Sequence, residues 1–120
     1  MMKDEKDLRV RTKMFARRVI HLYVSLPKNN AAAQILGKQV LRAGTSVGAN
    51  YREAGRARSK AEFISKVGDC LKEADEALYW LELLLDEKFF PAQRLQPLIG
   101  ETNELLAILT TISKRAKGVA

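Results

Sequence analysis

The chain has 120 residues, 47% of them hydrophobic, with 21 Lys plus Arg against 14 Asp plus Glu and a formal charge of +7. That length sustains one core and one domain, 1–120, and is too short for a cofactor domain beside a substrate domain. A single cysteine, Cys70, and a single histidine, His21, exclude an internal disulfide framework, a cysteine-rich zinc site and a two-histidine metal site.

Apolar residues recur at spacings of three and four, period-two alternation is absent, and only Pro27, Pro91 and Pro97 interrupt the chain. This predicts four helices. The first runs from about Asp4 to Leu26, with the seam Leu8, Thr12, Phe15, Val19, Leu22 and Leu26. Pro27 ends it, and Asn30 caps the second helix, about Ala31 to Arg58, whose seam is Leu36, Val40, Ala43, Val47, Tyr51 and Ala54. Ser59-Lys60-Ala61-Glu62 reads as a capping box. It opens a third helix, about Lys60 to Leu85, with Phe63, Val67, Cys70, Ala74, Leu78, Leu81 and Leu85 inward. Pro91 suits the first position of a fourth helix ending near Lys117, with Leu98, Thr102, Leu105, Leu109 and Ile112 inward. Pro97 predicts either a kink or a true start there. Short connections make sequential helices antiparallel, so the expected fold is all-α: an antiparallel up-down-up-down four-helix bundle.

The charge is unevenly placed. Residues 1–58 hold 13 Lys/Arg and 4 Asp/Glu, a net +9, whereas residues 59–120 hold 8 and 10, a net −2. At ~100° per residue, Lys38, Arg42, Arg52 and Arg56 fall within an arc of roughly 80°, away from the second helix's seam. Such a stripe is either a solvated face or a binding face for phosphates or carboxylates. Gly37, Gly44, Gly48 and Gly55 share one face at spacings of 7, 4 and 7. Each costs up to ~1 kcal/mol in a helix relative to alanine, so a line of them suggests a close-packed backbone, within the chain or from another subunit. On the third helix, Glu62, Asp69, Glu73 and Glu76 form an acidic edge ending at Trp80. That edge is either solvated or docked against a basic stripe in the same chain or a neighbouring subunit, and a large aromatic on such a line points to an interface. A second apolar strip, Val10, Ile20 and Val24, lies opposite the first helix's seam and argues for self-association.

No P-loop, nucleophile elbow or Glu-x-x-His metal pattern occurs. Cys70 falls on a core seam, and His21 has no evident partner. The expectation is therefore no enzyme, no metal and no cofactor. The charged N-terminus has no signal-like apolar stretch and no segment is apolar enough to span a membrane, so the expected location is cytoplasmic.

The run Gln39-Val40-Leu41-Arg42-Ala43-Gly44-Thr45-Ser46-Val47-Gly48-Ala49-Asn50-Tyr51-Arg52-Glu53-Ala54 resembles the second-helix pattern of the bacterial 23S rRNA intervening-sequence proteins, a ribosomal-protein-like family. Lys60-Ala61-Glu62-Phe63-Ile64-Ser65-Lys66 and Lys72-Glu73-Ala74-Asp75-Glu76-Ala77-Leu78-Tyr79-Trp80-Leu81 are similar to its third helix. Pro97 departs from the pattern. The resemblance implies a four-helix bundle assembling into a ring, typically a homopentamer. It also implies kinship in fold with the accessory variability proteins of diversity-generating retroelements, basic pentamers that bind a reverse transcriptase and nucleic acid. It brings no catalytic residues.

Two functional expectations follow. In the first, a homo-oligomer binds RNA or another nucleic acid through Lys38, Arg42, Arg52 and Arg56. In the second, the chain is an assembly module, in which that stripe meets carboxylates of a neighbouring subunit or a protein partner. Gly37, Gly44, Gly48, Gly55, Glu62, Asp69, Glu73, Glu76 and Trp80 are then the candidate subunit contacts.

Overall fold

A computed structural model describes residues 3–118, with side chains from Leu8 onward. Four helices follow in order: α1 (Lys3–Ser25), α2 (Ala31–Ala54), α3 (Lys60–Asp86) and α4 (Ala92–Lys117). Tight connections turn each helix back along the last, giving a bundle of 47 × 23 × 19 Å. The α1–α2, α2–α3 and α3–α4 seams are extensive, while α1 and α4 barely meet. The bidentate pair of Arg11 with Glu101 (2.7 and 3.1 Å) and the bond from Arg11 to Glu104 (3.0 Å) bridge that thin seam.

Local chemistry sets the ends. Asn30 Oδ1 accepts from the Ala33 amide at 3.0 Å. Ser59 Oγ accepts from the Glu62 amide at 3.0 Å, but the Glu62 carboxylate reaches back to the Arg58 amide (2.9 Å), one residue short of a reciprocal capping box. α3 closes in a Schellman arrangement, with Lys88 to Leu85 and Phe89 to Leu84. Lys88 takes the left-handed position, φ 59°, usually given to glycine.

Two boundaries differ from expectation. α2 stops at Ala54 rather than near Arg58: beyond Gly55, Arg56 and Ala57 bond three residues back, to Glu53 and Ala54, as a tightened last turn does. α4 begins at Ala92 with Pro91 at its N-cap, and runs through Pro97. Pro97 has no N–H to offer the carbonyl of Gln93, and Gln93 lies in an exposed stretch open to solvent.

The core follows the predicted seams closely. Every inward residue named for α1 is buried, as are Val40, Ala43, Val47, Tyr51 and Ala54 of α2. Leu36, Phe63, Leu85 and Ile112 are only half-buried against the core. On α3 the inward line keeps an unbroken alternation of three and four through Val67, Cys70, Ala74, Ala77, Leu81 and Leu84. That is the step a gently coiled bundle requires, so small Ala77 points inward and Leu78 falls beside the seam.

Candidate functional site

The glycine line is where α1 and α2 come together. A Cβ on Gly44 would stand 2.9 Å from both γ-methyls of Val19, and one on Gly48 would stand 3.2 Å from the Thr12 carbonyl oxygen. On Gly37 it would collide with Leu26 and Tyr23. These three glycines therefore serve packing inside the chain, the first of the two readings that their spacing left open. Gly55 is not part of the line: it caps α2 in a right-handed conformation.

The acidic edge is also used within the chain. Arg42 donates to Glu73 at 3.3 Å and to Glu76 at 2.8 Å across the α2–α3 seam. These bonds, Glu76 foremost, hold the guanidinium pKa above its ordinary value. Glu62 caps α3. Asp69 is exposed. Trp80 is half-buried, packs edge-on against Tyr79 at 5.0 Å, and its indole N–H is buried with no hydrogen-bond partner. Glu62, Glu73 and Glu76 thus make contacts within one chain.

This divides the predicted basic stripe. Arg42 is neutralised locally. Lys38 is exposed on its own stretch of α2, while Arg52 and Arg56 line a groove between α1 and α2 of about 480 Å³. Arg56 reaches the groove from the turn after α2 rather than from the helix. Across from them stand Arg9 and Lys13 of α1. The floor between the cations is small: Ala16, Thr45, Gly48 and Ala49. Among the described residues one acid lines the groove, Glu53, and Lys66 Nζ already pairs with it at 2.7 Å. The four cations make no ion pair among the described residues. The site is a cationic trough that an anion can enter, with its own carboxylate answered from outside.

Sequence reasoning missed Arg9 and Lys13. The available signal was the antiparallel turn at Pro27, which brings the start of α1 beside the end of α2. Arg9 and Lys13, one turn apart, flank the seam residue Thr12 and so lie at the edge of that contact.

Among the described residues, no group of three or more His, Cys, Asp or Glu is placed to hold a metal ion, and no helix is long and apolar enough to cross a membrane. Burial pushes the Cys70 thiol up to about 12, the behaviour of an inert core cysteine.

The family model of the 23S rRNA-intervening sequence proteins matches residues 6–111. The chain belongs to that family. A solved structure is similar over nearly its whole length: a protein of unknown function from the S23 ribosomal protein family of Bacteroides thetaiotaomicron, 37% identical, with a TM-score of 0.86 over 92% of this chain and 98% of that one. No curated protein matches. The intervening-sequence family is thus an all-α, four-helix, ribosomal-protein-like one, and neither description names an enzymatic activity.

Proposed function

We propose that this intervening-sequence protein is a non-enzymatic, cytoplasmic RNA-binding bundle whose contact surface is the α1–α2 groove. The observation that carries the reading is the convergence of Arg9, Lys13, Arg52 and Arg56 on one trough whose only acid among the described residues is already paired. Phosphates reward such an array because each neutralised phosphate releases a condensed counterion. The proposed contacts are the distal half of the α2 stripe plus α1, with Lys38 peripheral and Arg42 paired to Glu73 and Glu76.

The test is fluorescence anisotropy with a structured fragment of ribosomal RNA, at low and physiological salt. Lys13→Gln/Arg52→Gln should weaken binding at least about tenfold, with Arg42→Gln close to the parent. Equal affinity of all three proteins would overturn the reading.

Self-association is a second, compatible proposal, with a homopentameric ring as the expected form. It is supported by the outer strip of α1, where Val10 is 62%, Ile20 43% and Val24 60% exposed. Multi-angle light scattering of Val10→Lys/Val24→Lys against the parent tests it: a smaller mass for the variant supports this contact, and an unchanged mass overturns it. The version in which the basic stripe pairs with a neighbour's acids draws no support from Arg42, Glu73 and Glu76, which pair with one another within one chain.

A further inference from the structure

The cationic groove does not end at Arg9 and Tyr51. Both residues also line an adjoining recess of about 250 Å³, whose other walls are Ala54, Gly55, Ala57, Ser59 and Phe63. The recess lies just past the end of α2 at Ala54, where the chain turns towards α3. Its character differs from the groove beside it. Ala54, Gly55 and Ala57 are small, Tyr51 is buried at the wall, and Phe63 is half-buried, resting partly on the core. Among the described residues Arg9 is the only charged one lining it, and it also lines the groove.

A phosphate site opening into a small, aromatic-walled recess suits one kind of ligand. The recess is below the ~300 Å³ at which pockets for drug-sized molecules begin, so it fits a single planar ring system rather than a large ligand. Aromatic faces and guanidinium planes are the surfaces on which unstacked bases settle, and both are present, as Phe63 and Arg9. In a continuous duplex every base is stacked and paired, and none can enter.

Building on the RNA reading above, we infer that the recess between Phe63 and Arg9 receives one unpaired nucleobase while the α1–α2 groove holds the adjoining phosphates. The partner is thus RNA with a single-stranded loop, bulge or end. Base identity is weakly read, because the recess offers a stacking face and a cation.

The experiment is anisotropy titration of the full chain with a short unstructured RNA and with the duplex of the same sequence, at one salt concentration. Phe63→Leu keeps the apolar filling against the core and removes the ring face. Ala57→Leu fills the recess from the turn and leaves the core untouched, so it decides the matter if the Phe63 variant folds poorly. The parent should prefer the single strand, and each variant should lose at least about fivefold of that affinity while its duplex affinity stays constant. Binding to both RNAs with no preference for the single strand, or a preference unchanged in both variants, overturns the base site and leaves the phosphate groove standing. Absence of binding to either RNA at low salt overturns both.

Discussion

Arg42 Nη2 donates to Glu76 Oε1 at 2.8 Å, joining α2 to α3 within one chain. The same guanidinium reaches Glu73, so a cation that sequence alone leaves open to phosphates or carboxylates is held by two carboxylates of its own chain. The pair is partly solvated, with the Arg42 side chain 50% exposed, which limits its strength. A double-mutant cycle of Arg42→Ala and Glu76→Ala, read by urea denaturation, should give a coupling of about 0.5 kcal/mol that shrinks as salt is raised.

Close approach of α1 to α2 makes a sharper demand. Gly44→Ala gains up to ~1 kcal/mol of helix propensity but places a methyl 2.9 Å from both γ-carbons of Val19, a β-branched side chain that cannot swing aside. Overpacking of that kind costs about 1–3 kcal/mol, so net destabilisation near 1 kcal/mol is expected. Gly68 and Gly100 have nothing within 4 Å of their built Cβ positions. Gly68→Ala and Gly100→Ala should each stabilise by about 0.5–1 kcal/mol. Opposite shifts of the denaturation midpoint at constant m-value check the contrast.

Stability should also respond to alkaline pH through Cys70. The unfolded thiol ionises near its ordinary value of 9.0, whereas burial, foremost, and the neighbouring Asp69 hold the folded one up to about 12. Between those values the native state binds more protons than the unfolded state, so this contribution to stability is lost as pH rises from about 9 towards 12. Cys70→Ala should flatten that part of the stability–pH curve. In the parent at neutral pH, a thiol reagent should label Cys70 only at the rate of unfolding.

The contrast between the seams and the charges shows what was legible. Leu8, Phe15, Val19, Val47 and Leu105 are buried where periodicity put them, because one helix's pattern fixes its own inward face. Partners across seams were not legible. Whether Arg42 meets Glu76, a neighbour or an RNA depends on the α2–α3 register, which no single helix encodes. The glycine line announced a close contact without naming α1 as its occupant. The recess was not legible either: it lies past the end of α2, four residues before the expected one, and joins Arg9 of α1 to Phe63 of α3, which no single helix's pattern brings together.

The same division of the basic stripe predicts a difference in salt dependence. Arg52 lines the groove without an ion pair among the described residues, while Arg42 is paired across the α2–α3 seam. A cation that neutralises a phosphate contributes about 0.7 to the slope of log K against log salt for a single strand, and about 0.9 for a duplex. Arg52→Gln should lower that slope by roughly that amount and weaken binding at every sequence alike, since phosphate contacts carry no base information. Arg42→Gln removes the same formal charge but should leave the slope within error of the parent, because Glu73 and Glu76 neutralise that guanidinium before any RNA arrives. Titrations over a range of salt with one RNA separate the two. An equal fall in slope for both variants would mean that Arg42 exchanges its carboxylates for phosphate on binding, and that the whole α2 stripe, rather than its distal half, forms the contact.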